Sequence, residues 1–351
     1  MTKTKKRLAL LAAALWLAAC LLLTIRGAKL AYAEDLAVKL DAAARMRSWM
    51  DAIVEYKAEA GLGLTADDIH GTGLIGEPWT WITTTSGALE AKRTAADPDM
   101  AALMVQMLTE AGVEPGDRVG AGFSGSFPGL DLAVLAACEA MEVECVYIAS
   151  IGASTYGANQ PEFTFPDMVV RLHADGLLQT APATVTGGGQ KDCGADMDPE
   201  LRQAILDRME AAGQPVMLEP DFAANIAARM ELHGEIDCFV GVGGNLTTTG
   251  PGEKNVPYGL IRPYTITAVD ERSGLVQRYN AEGVPVLHLL NVKQLVTDYG
   301  MAYDPAEQLP PGESAVYFTT EYPRLSAAVG LLGAAAILLA VKFWPVKEEL
   351  G

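Results

Sequence analysis

The 351-residue chain has few of the residues that build metal sites and disulfide frameworks. It holds five cysteines, without a C-x-x-C pair, and four histidines that share no ligand spacing. Because structural metal sites need such clusters, the sequence predicts no metal site. Four cysteines lie outside the terminal apolar segments: Cys138, Cys145, Cys193 and Cys238. Their even number permits disulfides in an exported domain, while the apolar neighbours of Cys138 and Cys145 fit buried thiols equally well, so their pairing stays open.

Basic residues are also scarce, with 26 Lys and Arg against 44 Asp and Glu. Residues 1–29 hold six of the basic groups and no acidic group, and residues 325–351 hold two of each. Residues 30–324 therefore carry 18 basic and 42 acidic groups, a net charge of −24. Such a surface repels polyanions over a Debye length of about 8 Å. This balance argues against a nucleic-acid partner.

Long apolar runs are present only at the two ends, at Leu8–Ile25 and Leu325–Val341. Each has about the 17–25 residues that a helix needs to cross a bilayer. The cluster of basic residues in 3–7 precedes the first run, and the positive-inside rule places such a cluster in the cytoplasm. The sequence thus predicts a two-pass protein of the cell membrane whose main domain is extracytoplasmic.

Two other interpretations of the N-terminus stay open. Ala31-Tyr32-Ala33 has the small-x-small form of a signal-peptidase site, although Arg26 and Lys29 separate it from the apolar run. Leu17–Cys20 resembles a lipoprotein box, although the apolar run continues through Cys20. All three interpretations export the domain.

Between the apolar runs, strand and helix patterns alternate. A helix starting at Asp97-Pro98 precedes a strand at 118–123, a helix at 130–141 and a strand at 145–150, which make a βαβ unit. A similar series follows from Asp198-Pro199 to residue 242, and a further strand and helix occupy 284–299. We expect an α/β fold of three layers with a mostly parallel sheet. A strand at 79–84 and a β-hairpin at 260–279, turning at 271–273, are also expected.

The predicted organisation has five parts. These are a cytoplasmic tail and transmembrane helix at 1–29, a juxtamembrane helix and lead-in at 30–96, the α/β domain at 97–300, a linker at 301–324, and a second transmembrane helix with its tail at 325–351. The α/β domain contains two similar units, at about 97–165 and 195–300. These units fit either an internal duplication or two adjacent α/β units, and we favour the second interpretation.

The first candidate site follows the strand at 118–123. Gly122-Phe123-Ser124-Gly125-Ser126 nearly matches the nucleophile-elbow pattern G-x-S-x-G, with Ser126 in place of the last glycine. Three roles stay open: Ser126 as a helix cap, the loop as an anion-binding site, or Ser124 or Ser126 as a nucleophile. A catalytic triad would also need His173, His233 or His288, which the sequence does not place.

Two more strand ends carry small polar residues. Ligands of open α/β sheets bind beyond the carboxyl ends of strands, so these loops are predicted to form one site with the first. The ligand-binding candidates are Ser124, Gly125, Ser126, Gly152, Ser154, Gly243, Gly244, Asn245 and Thr247. The run Gly187-Gly188-Gly189 is predicted to be a flexible loop instead. None of these residues indicates a particular cofactor.

Several of these features together resemble the poly-gamma-glutamate system protein family. They are the two terminal spans, the segment Gly116–Val119 with Phe123–Leu130, and Val240–Asn245. The resemblance covers nearly the whole chain. It implies a bacterial envelope role beside the membrane machinery that makes and exports poly-γ-glutamate, a capsular or secreted polymer. It implies no catalytic residues.

The leading hypothesis is an accessory, membrane-anchored component of poly-γ-glutamate synthesis or export, with the synthase membrane subunits and the lipid bilayer as partners. A domain of net charge −24 should repel the polymer, which favours binding to partner proteins over binding to polyglutamate. The alternatives are an envelope hydrolase or transferase that uses Ser124 or Ser126, and a sensor of a small ligand.

Overall fold

The computed structural model describes residues 3–252 and 256–343, and of residues 3–6 it gives only the backbone. The chain forms two compact units. One consists of the described parts of Met1–Glu34 and Phe318–Gly351, and the other is Asp35–Tyr317. The predicted tail beyond residue 343 lies outside the described residues.

The first unit pairs the two ends of the chain. Its elements are helices α1 (Lys3–Arg26) and α12 (Arg324–Phe343) and strands β1 (Lys29–Tyr32) and β11 (Phe318–Glu321). The strands pair antiparallel, and both helices contain a segment of 20 residues, Arg7–Arg26 and Arg324–Phe343, long and apolar enough to cross a membrane. The helices pack on each other where Gly330 faces Cys20 and Gly333 faces Trp16. Close approach at small residues is how membrane helices pack, so this unit fits a two-pass membrane protein.

The second unit is an α/β domain. Its helices are α2 (Leu36–Glu59), α3 (Leu89–Ala95), α4 (Asp99–Ala111), α5 (Pro128–Ala140), α6 (Phe165–Ala174), α7 (Pro199–Ala211), α8 (Phe222–His233), α9 (Leu246–Thr249), α10 (Leu275–Ala281) and α11 (Val292–Asp298). Its strands are β2 (Thr83–Thr85), β3 (Arg118–Ser124), β4 (Glu144–Ser150), β5 (Ala153–Ser154), β6 (Thr184–Thr186), β7 (Val216–Met217), β8 (Cys238–Val242), β9 (Gly259–Ile261) and β10 (Val286–Leu289).

Seven of these strands form the central sheet, in the order β7-β6-β4-β3-β8-β10-β9. All neighbours pair parallel except β9, which pairs antiparallel with β10. The chain runs from β3 outward through β4, β6 and β7 and then returns to the other side of β3 as β8. The order of the strands therefore reverses between β3 and β8, and such a switch point opens a crevice at the carboxyl ends of the strands. The predicted α/β class and mostly parallel sheet are confirmed.

Local sequence accounts for many of the helix ends. The Asp198 side chain accepts hydrogen bonds from the N–H groups of Glu200 and Leu201 at the start of α7. Asp221 caps α8 in the same way through Ala224. Gly112 ends α4 in the left-handed conformation, with φ 92°. The core is built from apolar strand and helix residues, for example Ile151, Val185, Ile205, Leu206 and Met209.

The structure differs from two sequence predictions and contains elements that were not predicted. The expected hairpin at 260–279 is absent from the described residues, because Leu275–Ala281 is helix α10 and only Gly259–Ile261 is a strand. The strand expected at 79–84 is limited to Thr83–Thr85, and Trp79 and Trp81 are exposed. Three helices and one central strand were not foreseen: α3, α6, α9 and β6.

Candidate functional site

A cavity of about 620 Å³ lies at the carboxyl ends of the parallel strands, where the strand order reverses. Its walls come from the residues after β3, β4, β6, β8 and β10 and from β2, β5 and α3. The lining residues are Thr84, Thr85, Ser86, Gly87, Ala88, Ala91, Lys92, Ser124, Ser126, Phe127, Ser150, Gly152, Ser154, Gly188, Gly189, Asp196, Gly243, Gly244, Asn245, Leu246 and Leu290. Serine and threonine hydroxyls and glycine backbone thus line it together with apolar side chains such as Phe127, Leu246 and Leu290.

The three loops predicted from the sequence meet in this cavity. Seven of the nine ligand-binding candidates line it: Ser124, Ser126, Gly152, Ser154, Gly243, Gly244 and Asn245. Gly125 is buried behind the wall, where an added Cβ would lie 2.9 Å from the carbonyl oxygen of Ile151. Thr247 donates to Asn245 Oδ1 over 3.0 Å and so supports a lining residue.

The loop between β3 and α5 is held by its own serines. Ser124 Oγ accepts from the Ser126 N–H over 3.2 Å, and Ser126 Oγ accepts from the Ser154 N–H over 3.0 Å. The N-cap of α5 is Phe127, followed by Pro128 at the first helical position. The interpretation of Ser126 as a helix cap is therefore wrong, because its hydroxyl bonds to β5 instead. The N-terminus of α5 lies at the cavity wall.

Lys92 is one of the lining residues that sequence reasoning missed. It lies on α3 and is only 3% exposed. Its ammonium donates to Ser154 Oγ over 2.6 Å and to the carbonyl oxygen of Ser126, and it lies 3.5 Å from the centre of the Phe127 ring. The available signal was weak: Lys92 precedes Ala95 and Ala96 by one helical turn, beside which a solvated lysine is not expected.

Burial changes the acid–base equilibrium of the Lys92 amine. It lowers the pKa of the Lys92 amine from the ordinary 10.5 to about 7, and the Asp131 carboxylate opposes part of that change. Since an ammonium group is poorly solvated in a buried place, the neutral amine is populated near neutral pH. A neutral amine beside a serine hydroxyl can accept its proton, which is how a lysine activates a serine nucleophile.

The glycine run at 187–189 is a packed wall and not the flexible loop that the sequence predicted. Gly188 and Gly189 have φ of 66° and 58° and line the cavity. Beneath them Asp192 pairs with Arg229 at 2.5 Å, and both are buried. Asp192 also contacts Thr186, whose hydroxyl lies 2.9 Å from Ser150 Oγ. This network fixes the Ser150 side of the cavity.

None of the four histidines, all of which the structure describes, lines the cavity. His233 is buried between the Tyr279 hydroxyl, at 2.9 Å, and the Ala121 carbonyl, at 3.3 Å. Burial lowers its pKa to about 4, so the ring is neutral. The ring nitrogens of His173 and His288 bond to backbone carbonyls. A serine–histidine–acid triad is therefore not assembled at this cavity, and the basic group that contacts a serine hydroxyl there is Lys92.

The cysteines are free thiols in this structure. Cys138 and Cys145 line a second cavity of about 560 Å³ together with Arg45 and Glu139. Contact with Cys138 and burial raise the pKa of Cys145, and burial raises that of Cys238. Protonated thiols are poor nucleophiles and metal ligands. Among the described residues there is also no group of three or more potential metal ligands.

The first cavity thus combines a serine, a lysine with a free amine, and the positive end of a helix. A nucleophile, a base and a group that stabilises negative charge are what covalent acyl transfer requires. No protein-family model, curated protein or solved structure matches the chain, so these residues themselves carry the functional argument.

Proposed function

We propose that the cavity is the active site of a serine hydrolase or acyltransferase, with Ser154 as the nucleophile and Lys92 as the general base. The observation that carries the proposal is the 2.6 Å contact between Lys92 Nζ and Ser154 Oγ inside the cavity. Of the three serines at this wall, Ser154 is the one whose hydroxyl contacts the amine. The hydroxyls of Ser124 and Ser126 accept backbone N–H groups instead.

The reaction follows from these contacts. The Ser154 oxygen attacks an acyl carbon while its proton passes to the neutral amine of Lys92. The ammonium then gives the proton to the leaving group, and the acyl group stays on Ser154 until water or another nucleophile removes it. The negative oxygen formed on attack is stabilised by the positive end of α5, whose N-cap residue Phe127 lines the cavity.

A serine-reactive fluorophosphonate probe tests this assignment. Peptide mass spectrometry should find the adduct on Ser154, and Ser154→Ala should abolish it, whereas Ser124→Ala and Ser126→Ala, the matched controls, should still react. Lys92→Met should slow the reaction about 100-fold or more, since a general base contributes 10²–10⁴-fold. Undiminished labelling of the Ser154→Ala protein would exclude Ser154.

The pH dependence gives a second test of the same assignment. Lys92 acts as a base only when neutral, and burial lowers its pKa to about 7. The labelling rate should therefore rise with pH and level off above about 7, instead of rising to the ordinary lysine value of 10.5. A rate that still climbs tenfold per pH unit at pH 9 would contradict a lysine base with this pKa.

We also propose that the protein is a membrane-anchored component of poly-γ-glutamate synthesis or export, working with the synthase membrane subunits. The resemblance of Phe123–Leu130 and Val240–Asn245 to that family and the two apolar terminal helices support this role. The proposal includes a three-layer arrangement of the domain and its extracytoplasmic orientation. Alkaline-phosphatase fusions after Ala33 and at the C-terminus test the orientation: activity is expected from the first and not from the second.

Gene deletion tests the role in polymer production and separates it from catalysis. Deletion in a polymer-producing host should abolish or alter the amount or chain length of poly-γ-glutamate. Complementation with the Ser154→Ala chain then decides the mode of action. Full rescue indicates an accessory role, and unrestored chain length indicates that the serine acts on the polymer. Unchanged polymer after deletion would reject the proposed role.

A further inference from the structure

The lining of the cavity contains two ionisable side chains, Lys92 and Asp196. Lys92 Nζ lies 2.6 Å from Ser154 Oγ and is the base of the proposed reaction. Asp196 lies beside the glycine wall, since a Cβ added at Gly189 would be 2.4 Å from Asp196 Oδ1. The proposed reaction makes no use of this carboxylate. Because a few placed polar or charged groups give a pocket its specificity, Asp196 is a candidate for that role.

The Asp196 carboxylate is held through one oxygen and open at the other. Its Oδ1 accepts a hydrogen bond from the Gln190 N–H over 2.7 Å. Among the residues that the structure describes, none donates to Oδ2 and no basic side chain forms an ion pair with the carboxylate. The side chain is exposed to solvent. The loop is thus fixed by one oxygen, while the other is available to a donor or a cation in the cavity.

Asp196 and Ser154 lie close enough for one ligand to reach both. The Cβ position at Gly189, beside Asp196, is also 2.7 Å from Thr84 Cγ2, and Thr84 Oγ1 donates to the carbonyl of Ala153 over 3.2 Å. Ala153 directly precedes Ser154 in β5. A cavity of about 620 Å³ has the size of pockets that enclose one small molecule. A substrate that places its acyl carbon at Ser154 therefore extends toward the carboxylate.

We propose that the acyl substrate of this site carries a cationic group, such as an ammonium, and that Asp196 is the specificity-determining residue that binds it. The inference rests on the proposed function, in which Lys92 reacts as the neutral amine and the Asp196 carboxylate is the remaining charge of the lining. The net charge of −24 on residues 30–324 adds a field that attracts cations. An acyl group with its own carboxylate, such as the repeating unit of poly-γ-glutamate, is disfavoured.

Three fluorophosphonate probes that differ only at the end of their alkyl chain test this inference. One ends in trimethylammonium, one in tert-butyl, which has nearly the same size without the charge, and one in carboxylate. A short-chain and a long-chain set cover different distances from Ser154. In the full-length protein in neutral detergent, the ammonium probe should modify Ser154 about fivefold faster than the tert-butyl probe, as expected for a solvent-accessible ion pair. The carboxylate probe should be the slowest.

Substitution of Asp196 by asparagine removes the charge and keeps the shape. The asparagine amide oxygen can still accept the Gln190 N–H, so the loop should remain in place. In the Asp196→Asn protein, the ammonium and tert-butyl probes should react at equal rates. Asp207→Asn is the matched control, because it removes the same charge from an exposed residue of α7 that does not line the cavity. It should keep the preference of the parent protein.

The outcomes distinguish this inference from the proposed function. Equal rates of the ammonium and tert-butyl probes at Ser154 in the parent protein overturn the cationic substrate but leave the nucleophile in place. A preference that persists in Asp196→Asn overturns the role of Asp196. A failure of every probe to modify Ser154 rejects the proposed nucleophile, and the inference falls with it. A preference that is lost in Asp196→Asn and kept in Asp207→Asn supports both.

Discussion

At the scale of single residues, two buried cations differ in the partners that they have. Arg229 is held by the Asp192 carboxylate at 2.5 Å and by Asn225 at 2.8 Å, so its charge is compensated and its role is structural. Lys92 is equally buried but its contacts are a hydroxyl, a carbonyl and an aromatic ring. Perturbed groups of the second kind gather at functional sites.

A stability measurement should reveal the cost of keeping Lys92. Its pKa in the folded protein, about 7, lies below the ordinary 10.5, so burial of the charged form destabilises the fold below pH 7 and this penalty fades as pH rises toward 10.5. The Lys92→Met protein should therefore be more stable than the parent at pH 6 by about 1–3 kcal/mol in unfolding free energy, and should unfold a few degrees higher. At pH 9 the gain in stability should be smaller. Thermal unfolding at both pH values checks this, and a gain independent of pH would contradict it.

His233 should contribute to acid unfolding. Its pKa of about 4 in the fold lies below the ordinary 6.5, so the unfolded chain binds a proton that the folded chain does not. Stability is then unaffected above pH 6.5 and is lost as pH falls from 6.5 toward 4, by up to about 1.4 kcal/mol per pH unit. Urea unfolding at pH 7 and 5 should show a smaller loss for His233→Gln than for the parent, and equal losses would argue against a neutral buried ring.

At the scale of secondary structure elements, the site depends on how closely α5 approaches the end of α3. Gly129, in the first turn of α5, lies against the backbone of Ala95 and Ala96. A Cβ at Gly129 would be 2.8 Å from the Ala96 nitrogen, a distance that real Cβ atoms do not show. This contact sets the distance between α3, which carries Lys92, and the loop that carries Ser126.

Replacing glycine by alanine normally favours a helix, but Gly129→Ala should damage the site. We expect a loss of about 1–3 kcal/mol in unfolding free energy, as for overpacked cores, and weaker labelling of Ser154. Gly63→Ala is the control, because nothing lies within 4 Å of a Cβ there and its φ is not in the left-handed region. Denaturant unfolding and probe labelling of both variants check this expectation. Equal effects of Gly129→Ala and Gly63→Ala would disprove it.

At the scale of the whole molecule, the cavity and the long apolar helices lie in different units of the chain. The central sheet, its apolar core and the complete lining of the cavity belong to Asp35–Tyr317. The long apolar helices belong to the other unit, and their outward side chains, such as Leu8, Leu21, Leu325 and Leu331, are exposed, as a lipid-facing surface requires.

Residues 35–317 should therefore fold alone as a soluble domain. Its acidic surface favours solubility, and its hydrogen-bonded sheet is complete without the terminal helices. Expression of this segment should give a cooperative thermal transition and labelling of Ser154, while the full chain should need detergent for extraction. Aggregation of the isolated segment under all conditions would show that the terminal unit is needed for folding.

Much of the fold could be read from local patterns, and the misses have physical causes. Strong apolar runs such as 118–123 and 145–150 became the central strands, because burial on both faces demands such runs. The strand Thr184–Thr186 was missed because it is only three residues long, although Thr and Val favour strands. The segment 274–279 was predicted to be a strand from its composition, yet tertiary packing of Leu275, Val276 and Tyr279 against the core made it helical.

By itself, the sequence determined the apolar terminal segments, the α/β class and the polar loops that gather at one edge of the sheet. These properties depend on hydrophobic period and on the rule that parallel strands end together, which are local or topological. Only the tertiary structure decided which groups meet inside that edge. Lys92 and Ser154 are brought together from a helix and a short strand, and burial, not residue type, sets the charge of the lysine. Neither proximity across the fold nor loss of solvent is encoded at any one position of the chain.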